Sequence, residues 1–156
     1  MRFVDPKSNI AFKKIFGNET KKEILISFLN AVLMLKDDKE IQEITILDPY
    51  QAPKLSHLKE TILDVRAKDK RGINFIVEMQ VEKEAYFHKR ALYYASKAYI
   101  SQIDKGVDYP KLNQVFFIGI LNFDLFESPK YLSKHLILDN ETYKQELKDL
   151  EFDFIE

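Results

Sequence analysis

Alternation of apolar and polar residues over 61–81, broken once by a polar turn, constrains this chain more than any other feature. The first arm reads Thr61, Ile62, Leu63, Asp64, Val65, Arg66, Ala67; the second runs Ile73, Asn74, Phe75, Ile76, Val77, Glu78, Met79, Gln80, Val81. Strand side chains alternate faces, so Leu63, Val65 and Ala67 are expected to share a core face with Phe75, Val77 and Met79. Between the arms, Lys70, Arg71 and Gly72 suit a three-residue hairpin loop with Gly72 in the left-handed region. That loop sets Asp69 against Ile73, and the same register sets Asp64 against Glu78. Asp64, Glu78 and Gln80 then share the face opposite the core. Carboxylates directly opposed, with Cβ atoms about 5 Å apart, repel unless positive charge lies between them. A hard divalent cation is suited to that place, because it takes carboxylate oxygens.

The rest of the chain supplies what such a hairpin packs against. Residues 10–16 carry Phe12, Ile15 and Phe16 on one side of a helix that stops near Gly17. Residues 21–35 repeat Ile24, Leu25, Phe28, Leu29, Val32 and Leu33 at helical spacing. Residues 41–47 read as a strand ending at the Asp48–Pro49 turn. After the hairpin, a helix is expected over 85–103, packing through Ala91, Leu92, Ala95, Ala98, Tyr99 and Ile103 and closed by Gly106. Residues 114–123 are apolar on both faces, as in a buried central strand, and 131–138 and 151–155 read as further strands. The predicted order is α-α-β-β-β-α-β with later strands, an α/β fold with a mixed sheet flanked by helices. At 156 residues this is expected to be one domain over 1–156. The final residues, Phe152 to Glu156, stop in mid-pattern, which suggests a longer parent chain.

Composition removes several function classes. The chain has no cysteine, so disulfides, thiolate zinc sites and cysteine nucleophiles are excluded. Its N-terminus lacks the apolar run of a signal peptide, and no apolar stretch reaches membrane-spanning length, so a cytoplasmic protein without membrane contact is expected. A net charge of −1 argues against a uniformly basic nucleic-acid binder but leaves room for a local basic face. Lys13, Lys14, Lys21 and Lys22 cluster early, and Lys83, Lys89, Arg90 and Lys97 later; solvated helix surface is the plain reading of both groups. His57, His88 and His135 have no metal-ligand spacing. The four glycines form no phosphate loop.

An acid on one strand, Glu-x-Gln on the next and a helix after them resemble the core of the PD-(D/E)XK nucleases, and within it the transposase-associated, recombination-promoting branch. The resemblance rests on Pro6–Gly17, on Leu63-Asp64-Val65, on Val77-Glu78-Met79-Gln80 and on Arg90-Ala91-Leu92-Tyr93-Tyr94. It implies a restriction-endonuclease-like core and metal-assisted hydrolysis of DNA phosphodiester bonds. Asp64, Glu78 and the Met79 main-chain carbonyl become the ligands of Mg2+ or Mn2+, and Asp64, Glu78 and Gln80 the catalytic set. Lys13, Arg90, Tyr93 and Lys97 become DNA contacts, and DNA the partner, with room for a homo-oligomer.

Two positions depart from the pattern. Gln80 stands where most of the superfamily has lysine; it can hydrogen-bond but adds no charge. A cation is then expected from elsewhere, with Lys68, Lys89 and Lys97 as candidates. Asn9 stands where an aspartate is expected, three residues before Phe12-Lys13, which weakens the site if that acid helps hold metal. The competing readings are a nuclease-fold domain that has lost activity and binds nucleic acid or protein, and an assembly domain whose hairpin acids are ordinary surface residues.

Overall fold

The computed structural model describes residues 5–51, 61–104, 106 and 108–156. Two helices come first. In α1 (Asn9–Phe16) the Ser8 hydroxyl caps the N-terminus by accepting from the Ala11 N–H, and Gly17 closes the far end with its N–H on the Lys13 carbonyl. Helix α2 (Lys22–Val32) buries Leu25 and Leu29. Then come β1 (Ile44–Leu47), the short β2 (Tyr50–Gln51) and β3 (Thr61–Ile62), and the hairpin of β4 (Val65–Asp69) and β5 (Asn74–Gln80). Helix α3 (Phe87–Ile100), β6 (Val115–Leu121), β7 (Leu132–Leu136) and β8 (Leu150–Ile155) complete the order.

Six strands form one mixed sheet in the order β1-β4-β5-β6-β8-β7, while β2 and β3 pair separately. Strands β5, β6 and β8 run parallel to one another; the other pairings are antiparallel. The expected α/β class, with helices on both sides of a mixed sheet, is what the chain adopts.

The hairpin register is the one its turn dictates. Val65 pairs with Val77 and Ala67 with Phe75. Gly72 has φ of 86°, and the Asp69 N–H donates to the Ile73 carbonyl at 3.1 Å. The Asp69 carboxylate also accepts from the Arg71 and Ile73 amides, which ties the loop internally.

Alternation fills both faces. On one side Val65, Ala67, Phe75 and Val77 pack with Phe12, Leu25, Leu29 and Phe116, beneath α1 and α2. On the other, Ile76, Phe117, Phe152 and Phe154 pack with Phe87, Ala91, Ala95 and Ala98 of α3. The face of Glu78 is therefore covered at its centre by α3, rather than open as the alternation alone suggests. Gly119 permits that cover: a Cβ there would come within 2.8 Å of the Phe154 ring and 3.1 Å of the Phe87 ring.

Three other expectations are corrected. Leu63 is fully buried but belongs with Ile76 and Phe87, not with Val65. The chain bends at Asp64 and the Leu63 N–H turns to the Pro49 carbonyl at 3.0 Å, so the first arm is two strands, β3 and β4, and not one. Helix α3 is shorter than 85–103, and Leu92 is 51% exposed because the packing stripe is Phe87, Ala91, Ala95 and Ala98. His57 lies outside the described residues.

Candidate active site

The acids meet where the β4–β5 ladder ends. Asp64 sits in the bend just before β4, across from Glu78 near the C-terminal end of β5. Each acid bonds to the backbone beside the other. The Asp64 N–H donates to Glu78 Oε1 at 2.8 Å, and the Met79 N–H donates to Asp64 Oδ2 at 2.9 Å. The side chains thus continue the strand pairing past the last main-chain pair.

That reciprocal bracket leaves each carboxylate a second oxygen. Asp64 Oδ1 lies 3.2 Å from the Lys13 ammonium, brought by α1, and Glu78 Oε2 lies 3.9 Å from the Arg90 guanidinium, brought by α3. Glu78 is 5% exposed. Burial pushes its carboxyl up to about 7, with the Asp64 charge adding to the rise; the Asp64 amide, Arg90 and Lys13 oppose it without cancelling it. Burial therefore makes the ionised form of Glu78 costly even with Arg90 and Lys13 nearby.

Those observations bear on whether a divalent ion fits. The donor set is two carboxylates, each with a second oxygen that the bracket leaves facing a cation. Gln80 and Met79 alternate along β5, and the Gln80 carbonyl accepts from the Asn122 N–H on the β6 side. The N–H and carbonyl of one strand residue point the same way, so the Met79 carbonyl lies on the side of its N–H, toward Asp64. Two carboxylates and a carbonyl suit a hard cation. Among the described residues, no group of three or more acidic or histidine side chains gathers as a metal cluster, so any ion here would rest on two acids, main chain and water.

Gln80 is held at both ends: its Oε1 accepts from Arg90 Nη2 at 2.8 Å, and its Nε2 donates to the Glu82 carbonyl at 3.0 Å. Arg90 also donates to Glu84 at 2.5 Å and lies 4.6 Å over the Phe87 ring. The positive charge that Gln80 lacks thus stands on Gln80 itself, as Arg90, with Lys13 on the other acid. None of the three lysines expected in that part reaches the acids. Lys68 lies at the far end of β4; Lys89 stands 5.3 Å over the Tyr86 ring. Lys97 is buried at 8% exposure, its ammonium donating to the Gln51 carbonyl at 2.8 Å. Burial likewise removes Lys97 from the exposed groove expected beside Arg90. Tyr93 is 39% exposed on α3, as a groove residue needs to be. Asn9 opens α1 and is exposed.

Sequence reasoning passed over Glu84, Lys7 and Asn122. Lys7 Nζ donates to Asn122 Oδ1 at 2.6 Å, and Asn122 follows β6 where its N–H meets Gln80. The available signal was topological: sites in open α/β sheets gather beyond the carboxyl ends of parallel strands, and β5 and β6 end together here.

The family model for PD-(D/E)XK nuclease family transposases matches residues 6–156. No curated protein and no solved structure matches the chain.

Proposed function

The chain belongs to the PD-(D/E)XK nuclease family transposases, and from that membership and the acid pair we propose a metal-dependent DNA endonuclease acting in transposition or recombination. The observation that supports this reading most is the reciprocal bracket of Asp64 and Glu78, which fixes both carboxylates while keeping one oxygen of each on the cation side. Asp64, Glu78 and the Met79 carbonyl would hold Mg2+ or Mn2+. Such an ion supplies Lewis-acid polarisation of the phosphate and a water acidic enough to act near neutral pH.

The chain's own residues do the rest. Lys13 and Arg90 approach the acids from α1 and α3 and would neutralise charge on a bound phosphodiester. Gln80 transmits the position of Arg90 to β5 and adds no charge of its own. Tyr93, one turn along from Arg90 on α3, would line the groove for the nucleic-acid backbone.

The test is nicking of supercoiled plasmid with Mg2+ or Mn2+ beside an EDTA control. Wild type nicks with metal; Asp64→Ala and Glu78→Ala fall to the EDTA background while staying folded by circular dichroism. Equal nicking by wild type and Asp64→Ala places the activity elsewhere. No nicking under any divalent ion leaves the inactive binding domain as the reading.

A further inference from the structure

A second feature lies on the same sheet face as the acid pair, at the other end of the hairpin. A cleft of about 320 Å3 opens between the β4–β5 turn, the residues following α3 and the loop before β6. Arg66, Lys68 and Lys111 line it together with the amides of Asn74, Gln102 and Asn113. Among the described residues no carboxylate lines it, in a chain whose net charge is −1.

The lining is held in place. Gln102 Nε2 donates to the Asn113 carbonyl at 2.9 Å and its Oε1 accepts the Asn113 N–H at 2.8 Å, so the loop carrying Lys111 is clamped to the end of α3. The Asn113 amide lies against Gly72, where an added Cβ would come within 2.8 Å of it. Arg66 is anchored by donating from Nη1 to the Asp48 carbonyl at 2.9 Å. Lys68 and Lys111 are exposed and enter no ion pair among the described residues.

The Asp48 charge partly meets Arg66, but Lys68 and Lys111 stand exposed beside the side-chain amides, and together these groups make a site for phosphate oxygens. Position selects the source. Arg66 and Lys68 alternate along β4 on the face of Glu78 and Gln80, and Lys68 lies four residues, roughly 13 Å, from Asp64. That is the scale of two nucleotides along a strand. We propose that this cleft binds backbone phosphates of the nucleic acid whose scissile bond lies at Asp64 and Glu78, a reading that rests on the nuclease proposal for the acid pair.

The experiment measures duplex binding by fluorescence anisotropy in EDTA across a salt series, for wild type and Lys68→Ala/Lys111→Ala, with Lys144→Ala as an exposed control. The double variant is expected to bind about tenfold more weakly at low salt, with a salt slope shallower by about two; the control should match wild type. The same proteins are assayed for plasmid nicking. Wild type that binds through the cleft without cutting supports the cleft and removes the nuclease reading. Wild type that cuts while the double variant keeps full affinity and slope overturns the cleft and leaves the nuclease reading standing. Inorganic pyrophosphate is titrated in parallel, followed by amide shifts at Asn74, Gln102 and Asn113. Shifts with pyrophosphate but none with duplex make the ligand a small phosphate compound and overturn the assignment to the backbone.

Discussion

Asp153 shows what one buried side chain does to the pH dependence of this fold. It lies on β8, fully buried, with neither carboxylate oxygen in a hydrogen bond and the Lys134 ammonium 3.5 Å away. Burial raises its carboxyl from 3.8 to about 7 against the opposing pull of Lys134. Between those values the folded state keeps a proton that the unfolded chain has lost. The difference in bound protons, unfolded minus folded, is then negative, so stability falls as pH rises through that window. One proton corresponds to about 1.4 kcal/mol per pH unit at most. Asp153→Asn should flatten that portion of the curve, read by urea unfolding at pH 5 and pH 7; an unchanged slope would show that the proton resides elsewhere. Arg90 gives a second residue-scale prediction. Arg90→Ala removes the contacts to Gln80 and Glu84 and a cation beside Glu78. It should push the Glu78 carboxyl higher still and shift the pH at which metal-dependent nicking appears upward, whereas a purely structural role would lower activity equally at every pH.

At the scale of elements, the hairpin and α3 carry the site, and Gly119 of the neighbouring β6 sets how closely α3 can lie against the sheet. Gly119→Ala would drive a Cβ into the Phe154 and Phe87 rings, moving α3 and with it Arg90. Overpacking of this kind costs about 1–3 kcal/mol, so melting should fall by several degrees and nicking with it; an unaltered melting curve would mean the rings shift freely. The hairpin was the most legible element in the sequence, because Gly72 fixes the loop and the loop fixes the register through to Asp64 and Glu78. The side of Leu63 was not legible, since its N–H leaves the hairpin for the Pro49 carbonyl, a tertiary partner that alternation does not reveal. The covering of the Glu78 face by α3 left one trace that the alternation passed over: Ile76, an apolar residue in the middle of the supposed open face, now buried at 1% exposure. Lys97 illustrates the opposite difficulty. A lysine one turn past Tyr93 reads as groove surface, whereas in the fold it is buried and its ammonium donates to the Gln51 carbonyl, a tertiary contact 46 residues away.

For the molecule as a whole, the site draws on four separated stretches: Lys13 of α1, Asp64 before β4, Glu78 to Gln80 of β5 and Arg90 of α3. Anything that binds the assembled arrangement but not the unfolded chain stabilises the entire fold by mass action, about 2.7 kcal/mol at a hundred times the dissociation constant. Titrating Mn2+ should therefore raise the melting temperature in a concentration-dependent way that Asp64→Ala abolishes. A rise of equal size in that variant would place the ion away from the acid pair. No described helix is long and apolar enough to cross a membrane.

The reciprocal bracket has one more consequence, for time-resolved measurement. The Asp64 and Met79 amides point at carboxylates and not at carbonyls, so their hydrogen exchange reports on the acids directly. Deuterium uptake at these two positions gives a residue-level signal of whether either acid has let go of the backbone, independent of any substrate or turnover.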